Sequence, residues 1–392
     1  MFSEIRNHTE WALQFEAVAV IDEKIAYAAG YQVNGLFKID LMSGECEYLK
    51  SFPDFDIWSS RLFYCAVQGK NGIYFSPAAA DYIAVYYTHS GEISRIPILP
   101  MVNVNKQKKH KFGAAFCYHE NVYFVGATCG YVLKLNENTG QISVINLDIH
   151  DKYFFRKGIL VEDSFYIASV NSPVILEYRL ETDTAVVHRV GNDGGSWSIC
   201  YAGDKFWLPP RAKNDPVLCW DKNMGTVKPI TVAVANYKPQ DANFLKAFCI
   251  GNKVIFTPEC ANMFIQIDAR SGVVGQLEVP LVDGAHRYGV SFESNRYIYL
   301  SACMQNGKIY DFKLDKETLK AVGIQFELKN PEVFEAAVKN ALDCEMNHFF
   351  MKENKLLNLS EFIALVQLKD ANGIKEDTNT GRNIWNCIKE TS

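Results

Sequence analysis

The stretch Asn121-Val122-Tyr123-Phe124, followed by Leu133-Lys134-Leu135-Asn136-Glu137-Asn138-Thr139-Gly140, decides how the chain is read. The first part is a short apolar-aromatic strand. The second is another strand running into an Asn-x-x-Thr-Gly turn. A hairpin turn needs positive φ, which glycine supplies at no steric cost. An Asp or Asn just before it can hydrogen-bond the turn amides.

The unit recurs. Ile25-Ala26-Tyr27 leads to Asp40-Leu41-Met42-Ser43-Gly44, and Gly72-Ile73-Tyr74-Phe75 leads to Ser90-Gly91. Val254-Ile255-Phe256 leads to Asp268-Ala269-Arg270-Ser271-Gly272. In these four copies the glycine lies 17 residues after its anchor: 27 to 44, 74 to 91, 123 to 140 and 255 to 272. Three further copies are degenerate. Phe206-Trp207 leads to Asp221 and Gly225, two residues late. Phe165-Tyr166 leads to Glu181-Thr182-Asp183-Thr184, and Tyr297-Ile298-Tyr299 leads to Asp315-Lys316-Glu317-Thr318, both without glycine.

The anchors 27, 74, 123, 166, 206, 255 and 299 stand 47, 49, 43, 40, 49 and 44 residues apart. A unit of about 45 residues holds four short strands with their turns, the size of a propeller blade. One blade cannot bury both faces, but a ring of blades can. Seven copies over residues 11–327 predict an all-β chain folded as a seven-bladed β-propeller. The rival readings are a sandwich, a β-solenoid, or a ring of six or eight blades. The seventh copy supplies all its own strands, so the repeat does not say how the ring closes.

After Leu328 the pattern changes, and residues 328–392 are expected to form a C-terminal α-helical extension. Asn330-Pro331-Glu332 carries a cap, an N1 proline and an acidic first turn. Val333, Phe334, Val338, Ala341 and Leu342 then recur at helical spacing. Ser360-Glu361 opens a second helix, and Gly381-Arg382-Asn383 precedes a short third. These 65 residues hold 8 basic and 10 acidic side chains, so they are no polybasic tail. Packing on the propeller and docking of a partner are both open to them.

Leu133 to Gly140 and Ile265-Gln266-Ile267-Asp268-Ala269-Arg270-Ser271-Gly272 resemble a known blade signature, Ile-x-x-Leu/Ile-Asp-x-x-Ser/Thr-Gly. It marks the broad class of bacterial propellers that includes the pyrroloquinoline-quinone-like and streptogramin-lyase-like rings. The resemblance covers about four fifths of the chain and concerns architecture. It implies a funnel-shaped ring with one ligand-bearing face. It does not imply quinone binding or lyase chemistry, because no catalytic motif matches.

Composition narrows the function. The 392 residues are 48% hydrophobic and 22% charged, as in a globular protein. Phe (25), Tyr (20) and Trp (6) give an aromatic load typical of sheet. A net charge of −5 offers no basic footprint for nucleic acid or anionic lipid. The single basic run, Lys106-Gln107-Lys108-Lys109-His110-Lys111, reads as a solvated loop before a nucleic-acid contact. No stretch approaches about 18 uninterrupted apolar residues, so no membrane span is expected. Met1 to Arg6 shows no apolar signal region, and 11 scattered Cys suit reduced thiols, so the expected location is cytoplasmic. Cys117, Cys200 and Cys249 each lie six residues before an anchor, which marks a buried small apolar position of the inner strand rather than a thiol site. No C-x-x-C, H-E-x-x-H, G-x-S-x-G, G-x-G-x-x-G or P-loop occurs, so neither a metal nor a cofactor is expected.

In a propeller the loops into the inner strands and those after the second strands share one face, where binding residues collect. The lead-ins to the inner strands contain Arg61, Lys111, Arg156, Trp197, Lys246, Arg287 and Tyr288, and an opposing loop adds Arg211. A basic group beside an aromatic recurs, which suits an anionic or glycan-like ligand at the funnel mouth. The competing reading is that these are solvated strand ends and inter-blade packing. His286 is the one candidate acid/base in the lead-ins, with Glu259 of an opposing loop as its candidate partner. Two functions are consistent with this pattern. One is a non-catalytic cytosolic propeller that binds a partner protein or a small anionic or carbohydrate ligand, with the tail as docking element. The other is a lyase or hydrolase acting on an anionic or glycosidic substrate at the same mouth.

Overall fold

Each repeat folds as the four-stranded antiparallel sheet that its hairpin turns dictate. A computed structural model describes residues 13–99, 101–102, 110–149, 152–191, 194–279, 285–304 and 309–337. For residues 285–290, 302–304 and 309–310 only the backbone is described. In blade 1 the strands are Phe15–Val20, Ile25–Gly30, Leu36–Asp40 and Glu45–Lys50, running from the channel outward. The other six sheets repeat this order, each strand pairing with its neighbour in sequence. Their inner strands are Phe63–Gln68, Phe112–Tyr118, Phe155–Val161, Cys200–Ala202, Phe244–Ile250 and Ala285–Glu293. Each inner strand touches the next, and that of blade 7 touches that of blade 1, so the seven sheets close a ring.

Burial tracks position in the blade. The second strands of blades 2 and 4, Ile73–Pro77 and Ser164–Ser169, are buried at every residue. The outer strands Glu92–Pro97 and Thr184–Arg189 alternate toward solvent. The core lies between sheets rather than inside one. Between blades 1 and 2 it joins Ala17, Phe52, Phe63 and Phe75, and between blades 2 and 3 it joins Tyr74, Ile83, Phe112 and Phe124.

The anchor tyrosines tie blade to blade. Tyr74 donates from its hydroxyl to Glu137 Oε1 on the turn of blade 3, at 3.0 Å. Glu137 also accepts from the Lys70 and Asn71 amides, so a carboxylate 8% exposed is fully used. Lys222 of blade 5 donates to Tyr166 of blade 4, and Tyr299 of blade 7 donates to the Leu41 carbonyl of blade 1.

The outer turns form as their sequence dictates. Asn136 Oδ1 accepts from the Asn138 and Thr139 amides, and Gly140 takes φ +70°. Blade 7 lacks the glycine, yet Leu319 takes φ +57° there and donates its amide to the Asp315 carbonyl. Blade 5 departs from the spacing. Trp207, not Phe206, is its counterpart of Tyr123, because the Ala202↔Lys205 turn aligns with Tyr118↔Asn121. Cys200 therefore faces Trp207, whereas Cys117 and Cys249 face Val122 and Val254. Only the latter two share a position, and both are half-buried where the repeat predicts burial, while Cys200 is buried.

Blade 7 does supply its own four strands, ending with Ala321–Ile324. Closure comes from the residues just beyond that strand. Glu327–Leu328 adds a parallel strand to the outer edge of blade 1, with the Glu327 amide donating to the Gly44 carbonyl. Phe326, 4% exposed, packs against Phe15, Phe292 and Tyr299 across the seam. A short helix over 331–337 seats Phe334 on Phe37 and Tyr48. The expected helices opening at Ser360 and near Gly381 lie outside the described residues, as does the basic run up to Lys109.

Candidate functional site

The inner strands carry one device that positions the site. Six of the seven have a register break just after their start. In five blades the residue at the start of the strand is a buried phenylalanine, Phe15, Phe63, Phe112, Phe155 or Phe244. The phenylalanine packs between blades. The extra residue of a bulge leaves the ladder and is re-aimed, a device common beside binding sites. The released residues are Glu16, Tyr64, Gly113, Arg156 with Lys157, and Leu245.

Arg156 is the centre of what these residues build. Its Nη2 donates to Glu16 Oε1 at 2.6 Å, joining blade 4 to blade 1 across the channel. Its guanidinium lies 4.3 Å from the Tyr64 ring centre and 5.2 Å from that of Trp197. Flat cations stack on aromatic faces in this way and keep their N–H edges for acceptors. Arg211 also approaches Trp197, at 5.6 Å, and donates to the Val170 carbonyl. An arc of rings, Tyr64, His110, Phe154 and Trp197, runs along the mouth with centroids 5.4 to 6.5 Å apart.

Lys157 and Lys246 lie near enough to this group to influence each other's charge. Both are half-buried. Burial, reinforced by the charge of Lys157, holds Lys246 well below the usual lysine range. Lys157 is also lowered by burial, with Glu16 acting against that shift. Glu16 and Glu293 both act to keep Lys246 charged, against burial and Lys157. Several donors at the site have no hydrogen-bond partner among the described residues: Arg156 Nε, Trp197 Nε1 and the Tyr64 hydroxyl. The Cys65 thiol nearby is pushed up to about 12 by burial, so it stays protonated.

The structure sorts the lead-in residues. Arg156, Trp197 and Arg211 come together, and Lys246 lies near enough for Lys157 to influence its charge. Arg61 does not: it is exposed on the rim, with φ +54°, stacked 4.6 Å from Tyr31. Lys111 turns away and is wholly buried, with Nζ donating to the Ala79 carbonyl and pairing with Asp81 at 3.0 Å. It holds the loop of blade 2. Glu259 is half-buried in the loop after the second strand of blade 6, its amide bonded to the Asn243 carbonyl. The side chains of His286, Arg287 and Tyr288 lie outside the described residues, although their backbone forms the break between His286 and Val290.

Sequence reading missed Glu16, Tyr64, Phe154 and Lys157 as site residues. The signal is present in the chain. Aligning Phe15, Phe63, Phe112, Phe155 and Phe244 places Glu16, Tyr64 and Arg156 at one position. The lead-in comparison begins at blade 2, so Glu16 of blade 1 does not enter it.

No protein-family model matches the chain, and no curated protein matches it. Its fold is found in solved structures. It resembles a streptogramin B lyase with a TM-score of 0.53 and 12% identity, over 80% of this chain and 93% of that one. It resembles a chain of the mitotic checkpoint complex with a TM-score of 0.55 and 9% identity, over 76% and 86%. U3-55K gives 0.54 and 11%, over 74% and 88%. At such identities the likeness is one of fold, and it supports the seven-bladed propeller.

Proposed function

We propose that this propeller is a binding protein whose channel mouth takes a small anionic ligand, a carboxylate or a phosphate. The carrying observation is the surplus of donors around Arg156. Arg156 is paired with Glu16, and the buried Nε, indole and hydroxyl donors beside it lack acceptors among the described residues. Unused buried donors cost free energy, about 1–3 kcal/mol each, unless an acceptor arrives. The ring arc gives the ligand a flat neighbour, which suits a sugar or a heterocycle attached to the anion. The eight described cysteines are all free thiols, which supports a reducing compartment such as the cytoplasm.

Calorimetric titration with inorganic phosphate, malonate and glucose 6-phosphate tests the reading. At least one should bind, and Arg156→Ala should weaken it about 10- to 100-fold, the loss of one charge-assisted hydrogen bond. Added salt should weaken it further. If none of the three gives heat or raises the melting temperature, the reading is wrong.

A further inference from the structure

Rings from blade 2 and from the lead-in to blade 5 stack on the Arg156 guanidinium, so a ligand meets it along its N–H edge. That edge already has one occupant. Nη2 donates to Glu16 Oε1 at 2.6 Å, and the neighbouring Nε is buried with no acceptor among the described residues. Nε and Nη2 point from the same edge of the planar group, the geometry that lets one carboxylate bind with both oxygens. Glu16 takes one of these two positions and leaves the other.

An acceptor placed on Nε therefore sits beside the Glu16 carboxylate. Two carboxylates there repel each other, with little water to screen them, since the Glu16 and Arg156 side chains are 8% and 17% exposed. Pushing Glu16 off Arg156 does not help, because a buried carboxylate is then left without its partner. A donor on the ligand resolves the conflict. An ammonium one carbon away from the ligand's carboxylate falls on the Glu16 side while the carboxylate takes Nε, so each added charge meets its complement. Lys157 and Lys246 close by disfavour the converse ligand, a lone amine. The Trp197 indole N–H and the Tyr64 hydroxyl, whose rings touch the same guanidinium, add two further donors without acceptors among the described residues. Phe154 and His110 continue the arc and offer flat faces to a planar side chain.

We propose that the channel mouth binds an α-amino acid with a planar side chain, taken as its zwitterion: carboxylate on Arg156, ammonium on Glu16, ring along the aromatic arc. This rests on the mouth being an anion site and names the kind of anion it takes. Glu16 sets the choice, because it turns a site for acids into a site for amino acids.

Calorimetric titration of the full chain with L-phenylalanine, 3-phenylpropionate and 2-phenylethylamine separates the charges, since the three share a ring and differ in ammonium and carboxylate. Phenylalanine should bind about 10- to 100-fold tighter than 3-phenylpropionate, the worth of one charge-assisted hydrogen bond, and phenylethylamine should give no heat. Glu16→Gln keeps an acceptor for Arg156 and removes the charge. In it the preference for phenylalanine over 3-phenylpropionate should fall to about one. A ratio of two affinities on one protein does not depend on how much of the variant is folded, so a merely structural role for Glu16 would leave it unchanged. The ratio in the natural sequence needs no variant at all. Equal binding of phenylalanine and 3-phenylpropionate overturns the inference and leaves the anion site standing. So does 3-phenyllactate, with hydroxyl in place of ammonium, if it binds as tightly as phenylalanine. Phosphate binding with no heat from phenylalanine does the same. Phenylalanine binding that survives Arg156→Ala overturns the anion site and the inference with it.

Discussion

Two carboxylates show how the same chemical group acts in opposite senses. Asp311, in the third strand of blade 7, is buried, and burial raises its pKa to about 6 even though Ser301 and the Phe326 amide donate to it. Its folded value lies above the unfolded one of about 3.9. Its contribution to stability is therefore fully present below pH 4 and is lost as pH rises through 6, at a cost of about 3 kcal/mol. Asp311→Asn should raise stability at pH 7 to 8 and flatten the profile between pH 4 and 6, as read by denaturant unfolding at several pH values. An unchanged profile would mean that Asp311 ionises freely. Glu177 is also buried, which alone would raise it, but hydrogen bonds from Lys222, His188 and Arg179 outweigh that and hold it at about 2. Its stabilisation is present above pH 4.5 and is lost as pH falls toward 2. Glycines differ by surroundings too. Gly272 has φ +73° and open space about it, so Gly272→Ala should cost only the backbone strain, about 1 kcal/mol. Gly44 has φ +86°, and a Cβ there would overlap the Gln325 carbonyl at the seam. Gly44→Ala should cost visibly more, and equal losses in thermal unfolding would count against the seam contact.

At the scale of elements, the blade turn does two jobs. It reverses the chain, and in blade 3 it grips the preceding blade through Glu137. Glu137→Ala leaves the Tyr74 hydroxyl and two amides without their acceptor. The expected loss is about 2–4 kcal/mol, larger than for an exposed turn residue. A double-mutant cycle with Tyr74→Phe should show coupling, because the two share one bond. The turns were legible in the sequence because positive φ and side-chain-to-amide bonds are local requirements. The grip was not, since Glu137 looks like any acidic turn residue until blade 2 is set beside it. The same reason hid the bulges. A phenylalanine at the start of an inner strand reads as core, and nothing local says that the next residue leaves the ladder. Blade 5 shows the limit of counting, where of two adjacent aromatics the Ala202↔Lys205 turn makes Trp207, and not Phe206, the counterpart of Tyr123.

At the scale of the molecule, the ring is closed by a short parallel strand and two aromatic side chains added after the last blade. Phe326→Ala should cost about 3–5 kcal/mol, as a large cavity in a core usually does. The loss should appear as easier unfolding of the whole ring, because Phe326 bridges the aromatic cores of blades 1 and 7. A loss below about 1 kcal/mol would show that the inner strands alone hold the ring. By itself the sequence determined the blade, the number of blades and the outer turns, because each depends on hydrophobic alternation and backbone conformation within about 45 residues. Tertiary structure alone decided how the ring closes and what stands in the channel. Arg156 and Lys111 occupy nearly the same place in the repeat, yet one faces Glu16, Tyr64 and Trp197 and the other is held by Asp81. Lys111 stands one residue before the buried phenylalanine of its strand, whereas Arg156 stands one residue after it, in the bulge that leaves the ladder. Their partners come from other blades, far along the chain, where no local pattern can register them.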